Sequence, residues 1–181
     1  LSEGSWSSYI PDNLVQPAGF YSAFFDQENN GWFGTSGQGL FELKDNIWLN
    51  YFKASGLNEN SFYGLCEDGR HNLWFCSYAD IYRFDGLNWS SVAKTYGISS
   101  DYYRQIMDDR DGNIWLVSDN NGLYLFRGDN WTNFPRNTYF NSSYIRRLAL
   151  SPDGTIWAGT GYAGLYKYNG TTWIRYSTEQ G

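Results

Sequence analysis

Short apolar runs of strand length alternate along the chain with clusters of Gly, Asn and Asp. One round reads Tyr63–Glu67, Leu73–Ser77, Ile81–Phe84 and Trp89–Val92. Between these runs lie Asp68-Gly69-Arg70-His71-Asn72, Tyr78-Ala79-Asp80 and Asp85-Gly86-Leu87-Asn88. That is turn chemistry, because Gly, Asn and Asp tolerate positive φ and Asn and Asp bond their own backbone. No window carries a 3.6-residue apolar stripe capped at both ends, so a helical array is not expected. The predicted unit is four strands joined by three turns.

The unit recurs. Second-strand tryptophans fall at Trp32, Trp74, Trp115 and Trp157, and fourth-strand tryptophans at Trp6, Trp48, Trp89, Trp131 and Trp173, which accounts for all 9 Trp. A four-stranded unit with a period near 40 is a propeller blade. The predicted fold is therefore all-β: a β-propeller of four-stranded antiparallel blades, with four complete blades and one extra N-terminal outer strand around Trp6. The predicted divisions are residues 1–19 (orphan strand and loop), then blades over 20–61, 62–102, 103–144 and 145–181, together forming part of a larger ring or assembly.

Register supports this reading. Ala23, Leu65, Ile106 and Leu148 are equivalent on the first strand, as are Phe24, Cys66, Met107 and Ala149. Both faces are thus apolar, as expected of an inner strand held between neighbouring blades. The next turn repeats Asp26, Asp68, Asp109 and Ser151. Gly39, Gly122 and Gly164 precede the third strand, whereas the second repeat lacks this Gly and is one residue shorter there.

Composition narrows the function classes. Trp 9, Tyr 16 and Phe 12, with 20 Gly and only 4 Pro, are β-rich and turn-rich usage. A net charge of −6 disfavours electrostatic binding of nucleic acid, since no basic excess is available to displace phosphate counterions. No apolar run approaches the roughly 20 residues of a membrane helix, so this segment is not expected to insert in a membrane. The first residue is Leu1 in place of Met, which suggests a processed, trimmed or excerpted polypeptide.

Only 2 Cys and 1 His are present. Cys66 and Cys76 would face each other if their hairpin pairs symmetrically about His71, leaving either a cross-strand disulfide or two packed thiols. With a single His, no metal site is expected, and no cofactor either. Asp108–Asn113 superficially suggests a calcium loop, but its spacing lacks the alternating oxygen ligands of an EF-hand, so Asp109 reads as a turn former. Four sequons, at Asn88, Asn130, Asn141 and Asn169, read mainly as turn residues.

The recurring pattern D-x-x-G-N-I-W-x-G-T-x-x-x-G-L-Y-x-Y-x-G-x-x-W resembles the two-component regulator propeller repeat. Pro152–Thr160 with Gly164–Tyr168, and Gly31–Thr35 with Gly39–Phe41, match best, and the G-L signal between blades stands at Gly56-Leu57 and, altered, at Gly97-Ile98. The second and third repeats depart from it, with Cys76 and Val117 replacing Gly, and Ser77 and Ser118 replacing Thr. The resemblance implies seven-bladed propellers in periplasmic sensor portions of hybrid histidine kinases, often sensing glycans, and also in secreted or surface proteins without a kinase.

In a propeller, the loops from each fourth strand to the next first strand share a face with the second-to-third turns, and that face is the usual binding surface. It would gather Tyr78, Tyr96, Tyr102, Tyr103, Tyr139 and Tyr162, whose rings can stack on sugars while each hydroxyl supplies a polar handle. Equally, such aromatics can anchor long loops. Arg104, Arg146 and Arg147 are candidates to grip a carboxylate or sulfate, Arg104 and Arg146 standing where Tyr21 and Tyr63 open the first strands of other repeats. The alternative is pairing with Asp101 or Asp119. Glu59, Asp80, Asp101 and Asp119 are candidates for an acid/base pair, but nothing selects one pair, and the lone His71 falls in an outer hairpin turn. The expected function is a non-catalytic, periplasmic or extracellular module that binds a small molecule or glycan. The alternatives are an assembly module that pairs through its N-terminal strand, in a homo-oligomer or with another propeller segment, and, more remotely, a lyase or glycoside hydrolase.

Overall fold

The structure is a computed structural model that describes residue 11 and residues 19–52 and 57–177. The strand expected around Trp6 lies outside the described residues. Among the described residues, sixteen strands form four antiparallel sheets in simple sequential order. The first blade is β1 (Phe20–Phe25), β2 (Gly31–Thr35), β3 (Leu40–Lys44) and β4 (Ile47–Tyr51), and the second is β5 (Phe62–Glu67), β6 (Leu73–Ser77), β7 (Ile81–Phe84) and β8 (Trp89–Ser91). The third is β9 (Tyr103–Asp108), β10 (Ile114–Ser118), β11 (Gly122–Arg127) and β12 (Asn130–Phe134), and the fourth is β13 (Ile145–Leu150), β14 (Ile156–Thr160), β15 (Leu165–Tyr168) and β16 (Trp173–Tyr176).

A polar latch explains the repeated spacing of Asp and Trp. In the turn after each of the first three inner strands, one Asp carboxylate accepts the indole N–H of the Trp six residues on: Asp26 from Trp32 (2.9 Å), Asp68 from Trp74 (2.8 Å) and Asp109 from Trp115 (3.1 Å). Each carboxylate also takes the side-chain amide of Asn30, Asn72 or Asn113. Trp32, Trp74 and Trp115 are buried. A buried indole N–H needs such a partner, and the Asp supplies it without leaving the turn. Asp109 is thereby accounted for as a turn and latch residue.

The Gly before the third strand has a steric cause. Gly39, Gly122 and Gly164 adopt φ of 80°, 90° and 88°, and a Cβ on any of them would collide with the carbonyl oxygen of Tyr51, Phe134 or Tyr176. In the shorter second-blade turn Asp80 takes over. Its carbonyl accepts both the N–H and the hydroxyl of Ser77, as the Gly39 carbonyl does from Thr35.

Three apolar clusters hold the blades together, one at each junction between neighbours. Trp32 and Leu40 meet Phe62, Phe75 and Tyr82 at the first; Trp74 and Ile81 meet Ile106, Leu116 and Phe126 at the second; Trp115 and Leu123 meet Leu148, Tyr166 and Trp173 at the third. Polar staples supplement them. Ser22 donates to the carbonyl of Phe62 (3.2 Å), and the Gln105 amide bonds both the N–H (2.8 Å) and the carbonyl (3.1 Å) of Leu148.

Two expectations are corrected. The connections after the second and third blades are not plain loops, since α1 (Val92–Tyr96) and α2 (Arg136–Tyr139) form there, α1 ending at Gly97 in the left-handed region (φ 65°). Cys66 and Cys76 do not face each other. The five-residue turn 68–72 centres the hairpin on residue 70, so that Cys66 pairs with Trp74 and Cys76 with Gly64. Both thiols are free and buried, and burial pushes the pKa of each upward.

Candidate functional site

Each first strand carries a β-bulge at the same place. The register slips between Phe20 and Ser22, Phe62 and Gly64, Tyr103 and Gln105, and Ile145 and Arg147. The residues left unpaired are Tyr21, Tyr63, Arg104 and Arg146. A bulge frees a residue from the ladder and re-aims its side chain. Repeated four times, it sends two tyrosines and two arginines toward one end of the inner strands.

These side chains interact in sequence around the arc. Tyr21 stacks on Tyr63 (ring centroids 4.9 Å apart, planes at 26°), and Tyr63 meets Tyr102 edge-on at 4.8 Å. Tyr102 contacts Tyr78 at 5.5 Å and lies 4.7 Å beneath the Arg104 guanidinium. Burial first, and then the neighbouring Tyr102 and Tyr21, raise the pKa of Tyr63, so its phenol stays protonated and able to donate. Arg104 grips Asp119 through two parallel hydrogen bonds, one of them 2.6 Å. Arg146 approaches Tyr144 (5.9 Å), a ring that also carries Arg136 on its face (4.3 Å).

Two adjoining cavities open here. One of about 550 Å³ is lined by Tyr78, Ser100, Asp101, Tyr102, Arg104, Asp119, Asn120, Tyr144 and Arg146. Another of about 260 Å³ is lined by Tyr21, Tyr63, Tyr102, Arg104 and Arg147. They share Tyr102 and Arg104, which form the saddle between an aromatic half and a more cationic half. The wall is preorganised. Asp101 accepts hydrogen bonds from the Ser118 hydroxyl, the Asn120 N–H (2.9 Å) and side-chain amide (2.7 Å), the Asn121 amide (3.1 Å) and the Tyr102 N–H (2.7 Å). Burial opposes its charge, but the bonds from Ser118, Asn120 and Tyr102 outweigh burial and hold its pKa below the ordinary value.

Of the sequence candidates, Tyr78, Tyr102, Arg104, Asp119 and Arg146 line the larger cavity, and Arg147 the smaller. Others lie elsewhere. Tyr103 is wholly buried, its hydroxyl bonded to the Ser99 carbonyl. Tyr96 packs edge-on against Phe126, Tyr139 packs against Phe134, and Tyr162 is an exposed turn residue outside the cavity lining. Position within a loop does not decide orientation: Tyr96, Tyr103 and Tyr139 pack on neighbouring apolar residues, and Tyr162 faces solvent. Tyr21, Tyr63 and Tyr144 are absent from the sequence candidates, although Tyr21 and Tyr63 share the repeat register of Arg104 and Arg146 and could have been found by it. His71 bonds Glu67 (2.9 Å) in the hairpin turn at the opposite end of the blade. Among the described residues, no group of three or more His, Cys, Asp or Glu could hold a metal ion. Nor is any described helix long and apolar enough to cross a membrane.

Residues 56–79 and 97–120 match the model of the two-component regulator propeller family. No curated protein matches. Among solved structures, the extracellular domain described as that of a hybrid two-component system from B. thetaiotaomicron is similar, with a TM-score of 0.75 at 20% identity over 87% of this chain and 23% of that one. The extracellular domain of a one-component system from the same organism aligns with a TM-score of 0.66 at 20% identity, over 91% of this chain and 23% of the other. A catalytically inactive virginiamycin B lyase from Staphylococcus aureus, solved with quinupristin, aligns with a TM-score of 0.76 at 15% identity over 98% of this chain and 61% of the lyase. The chain thus spans about a quarter of the sensor chains it resembles and less than two thirds of the lyase. At these identities the likeness establishes the β-propeller fold.

Proposed function

Starting from a chain that carries two-component regulator propeller repeats, we propose that it is a non-catalytic, exported recognition module whose tyrosine-lined cavity binds a saccharide. The observation that carries this reading is the ring ladder Tyr21–Tyr63–Tyr102, continued by Arg104 and Asp119 along one open groove. A sugar offers apolar C–H faces to such rings, and its hydroxyls suit Asn120 and Ser100 beside them. Because the tyrosines already pack on one another, little side-chain entropy is lost on binding.

Export is in keeping with the sensor relatives, which are extracellular domains. The chemistry of the cavity favours binding over turnover. A glycosidase acid needs a raised pKa, whereas that of Asp101 is lowered, and Asp119 is occupied by Arg104. The one His lies at the far end of its blade. A glycan array probed with the chain and with a Tyr63→Ala/Tyr102→Ala variant tests the proposal. Signal on a defined saccharide class, lost in the variant, is expected; the reading fails if the array stays at background or the variant binds as well.

One observation favours assembly as a second reading. Leu40 is 0% exposed in its blade junction whereas its fourth-blade equivalent, Leu165, is 51% exposed; Phe62 is 0% exposed whereas its first-blade equivalent, Phe20, is 47% exposed. Both end faces therefore present positions that interior blades bury. Light scattering on the chain with and without residues 1–12 tests strand-mediated assembly, which predicts oligomers that the deletion abolishes.

A further inference from the structure

A further cavity, of about 400 Å³, lies at the opposite end of the blades, between the hairpin turns of the second and third. Three arginines line it: Arg70 and Arg110 from the two turns, and Arg83 from the middle of β7. None of the three forms an ion pair among the described residues, where the ion pairs are Lys44–Glu28, His71–Glu67 and Arg104–Asp119. The Nε of Arg83 is buried and has no hydrogen-bond partner. A buried guanidinium N–H without an acceptor is costly, and an acceptor arriving from the cavity would relieve that cost.

The repeat does not account for these residues. The positions equivalent to Arg83 are Glu42, Leu125 and Lys167. Glu42 bonds the Tyr51 hydroxyl (2.7 Å), and Leu125 is buried in the third blade. Lys167 lies over the Trp157 indole (5.6 Å) as Arg83 lies over that of Trp74 (6.0 Å), but of the two only Arg83 brings a guanidinium, with its buried unpartnered Nε, to the lining of this cavity. Arg110 is likewise an exception. Its φ of 67° stands where the other three repeats have Gln27, Gly69 and Pro152, none with positive φ. A non-Gly residue in that region is strained, and such strain collects at ligand sites.

Three carboxylates share the lining. Asp68 is committed to Trp74 and Asn72, while Asp111 and Asp129 stand more than 4 Å from any guanidinium nitrogen. Donors and acceptors are thus separated by open space instead of cancelling in ion pairs. A ligand with an oxyanion next to hydroxyl groups satisfies both sets.

We propose that this cavity is a second ligand site, distinct from the tyrosine groove, and that it takes a sulfated or phosphorylated sugar. The ester oxyanion accepts from Arg83, Arg70 and Arg110, and the sugar hydroxyls donate to Asp111 and Asp129. The site does not depend on the groove binding a saccharide.

Calorimetric titration of the purified chain with glucose 6-sulfate, glucose 6-phosphate, glucose and inorganic sulfate tests it. Either ester, or both, should bind, with glucose and inorganic sulfate at least ~10-fold weaker. Arg83→Leu introduces the residue that the third blade carries at this position, and Arg110→Gly removes the strained side chain. Each should weaken ester binding at least ~10-fold, while Arg146→Gln, in the groove, leaves it unchanged. If neither ester binds, or both cavity variants bind like the parent, the site is refuted. Inorganic sulfate binding as tightly as the esters would refute the sugar assignment, and loss of binding in Arg146→Gln would place the ligand in the groove instead.

Discussion

Arg104 and Asp119 close on each other through two parallel hydrogen bonds across the junction of the two face cavities, the arginine from a bulge in β9 and the aspartate from the turn after β10. The sequence leaves open whether Arg104 would meet a ligand or an internal carboxylate, and the structure makes it half of an ion pair. Asp119→Asn should therefore cost less than ~1 kcal/mol in urea unfolding, since both partners keep contact with solvent. The same change removes one negative charge from the mouth of the groove. Binding of a uronate-containing oligosaccharide should strengthen by roughly 3- to 10-fold, with neutral saccharides little affected. Weaker uronate binding would show that Asp119 itself contacts the ligand.

The Asp–Trp latch predicts a stability loss when the Asp68 carboxylate, which also accepts from Arg70 and Asn72, is removed. Asp68→Ala leaves the indole N–H of Trp74 buried without its acceptor and should destabilise the chain by about 2–3 kcal/mol in equilibrium urea unfolding.

Acid sensitivity follows from the same carboxylates. Burial works against the charge on Asp26, Asp68 and Asp101, yet hydrogen bonds from Trp32, Trp74 and Ser118, with help from neighbouring amides, outweigh it and lower all three pKa values. A carboxyl whose folded pKa lies below its unfolded value of about 3.9 contributes its full stability above that value and loses it as pH falls through the folded pKa. Thermal melting should be flat in this respect near neutrality and fall steeply below about pH 4. Asp108, raised chiefly by burial, acts in the opposite sense and should blunt that fall slightly.

Cys66 and Cys76 should behave as core residues. With both buried and their pKa values pushed up by desolvation, a thiol reagent should label neither in the native chain and both after unfolding in urea. Intact mass without reductant should show two free thiols; a mass lower by two hydrogens would mean that the hairpin register is wrong.

Two glycines with similar φ separate strain from collision. Gly37 (φ 87°) has open space where a Cβ would go, whereas at Gly122 (φ 90°) a Cβ would strike the Phe134 carbonyl and the Arg136 N–H. Gly37→Ala should cost ~1–2 kcal/mol from backbone strain alone. Gly122→Ala should cost a further ~1–3 kcal/mol in the same unfolding assay.

Much of the fold is legible in the chain because each blade restates the others. The Trp spacing marks the second and fourth strands, and the Asp six residues before Trp32, Trp74 and Trp115 already contains the latch. What is not legible depends on one-residue choices. The turn 68–72 centres on residue 70 instead of 71, and that shift separates Cys66 from Cys76. The bulges that expose Tyr21, Tyr63, Arg104 and Arg146 leave no turn residue as a mark, so the groove emerges only once the strands are paired. Tyr103 and Tyr102 are adjacent in sequence, yet pleating buries the first and leaves the second in the cavity wall.

Amide and aromatic NMR of the chain, recorded during titration with the saccharide giving the strongest array signal, tests the proposed function most directly. Shift changes are predicted to concentrate on Tyr21, Tyr63, Tyr78, Tyr102 and the Arg104 side chain, with Trp74 and the turn 68–72 unmoved. Perturbations confined to that far turn, or no perturbation by any saccharide, would contradict recognition at the tyrosine groove.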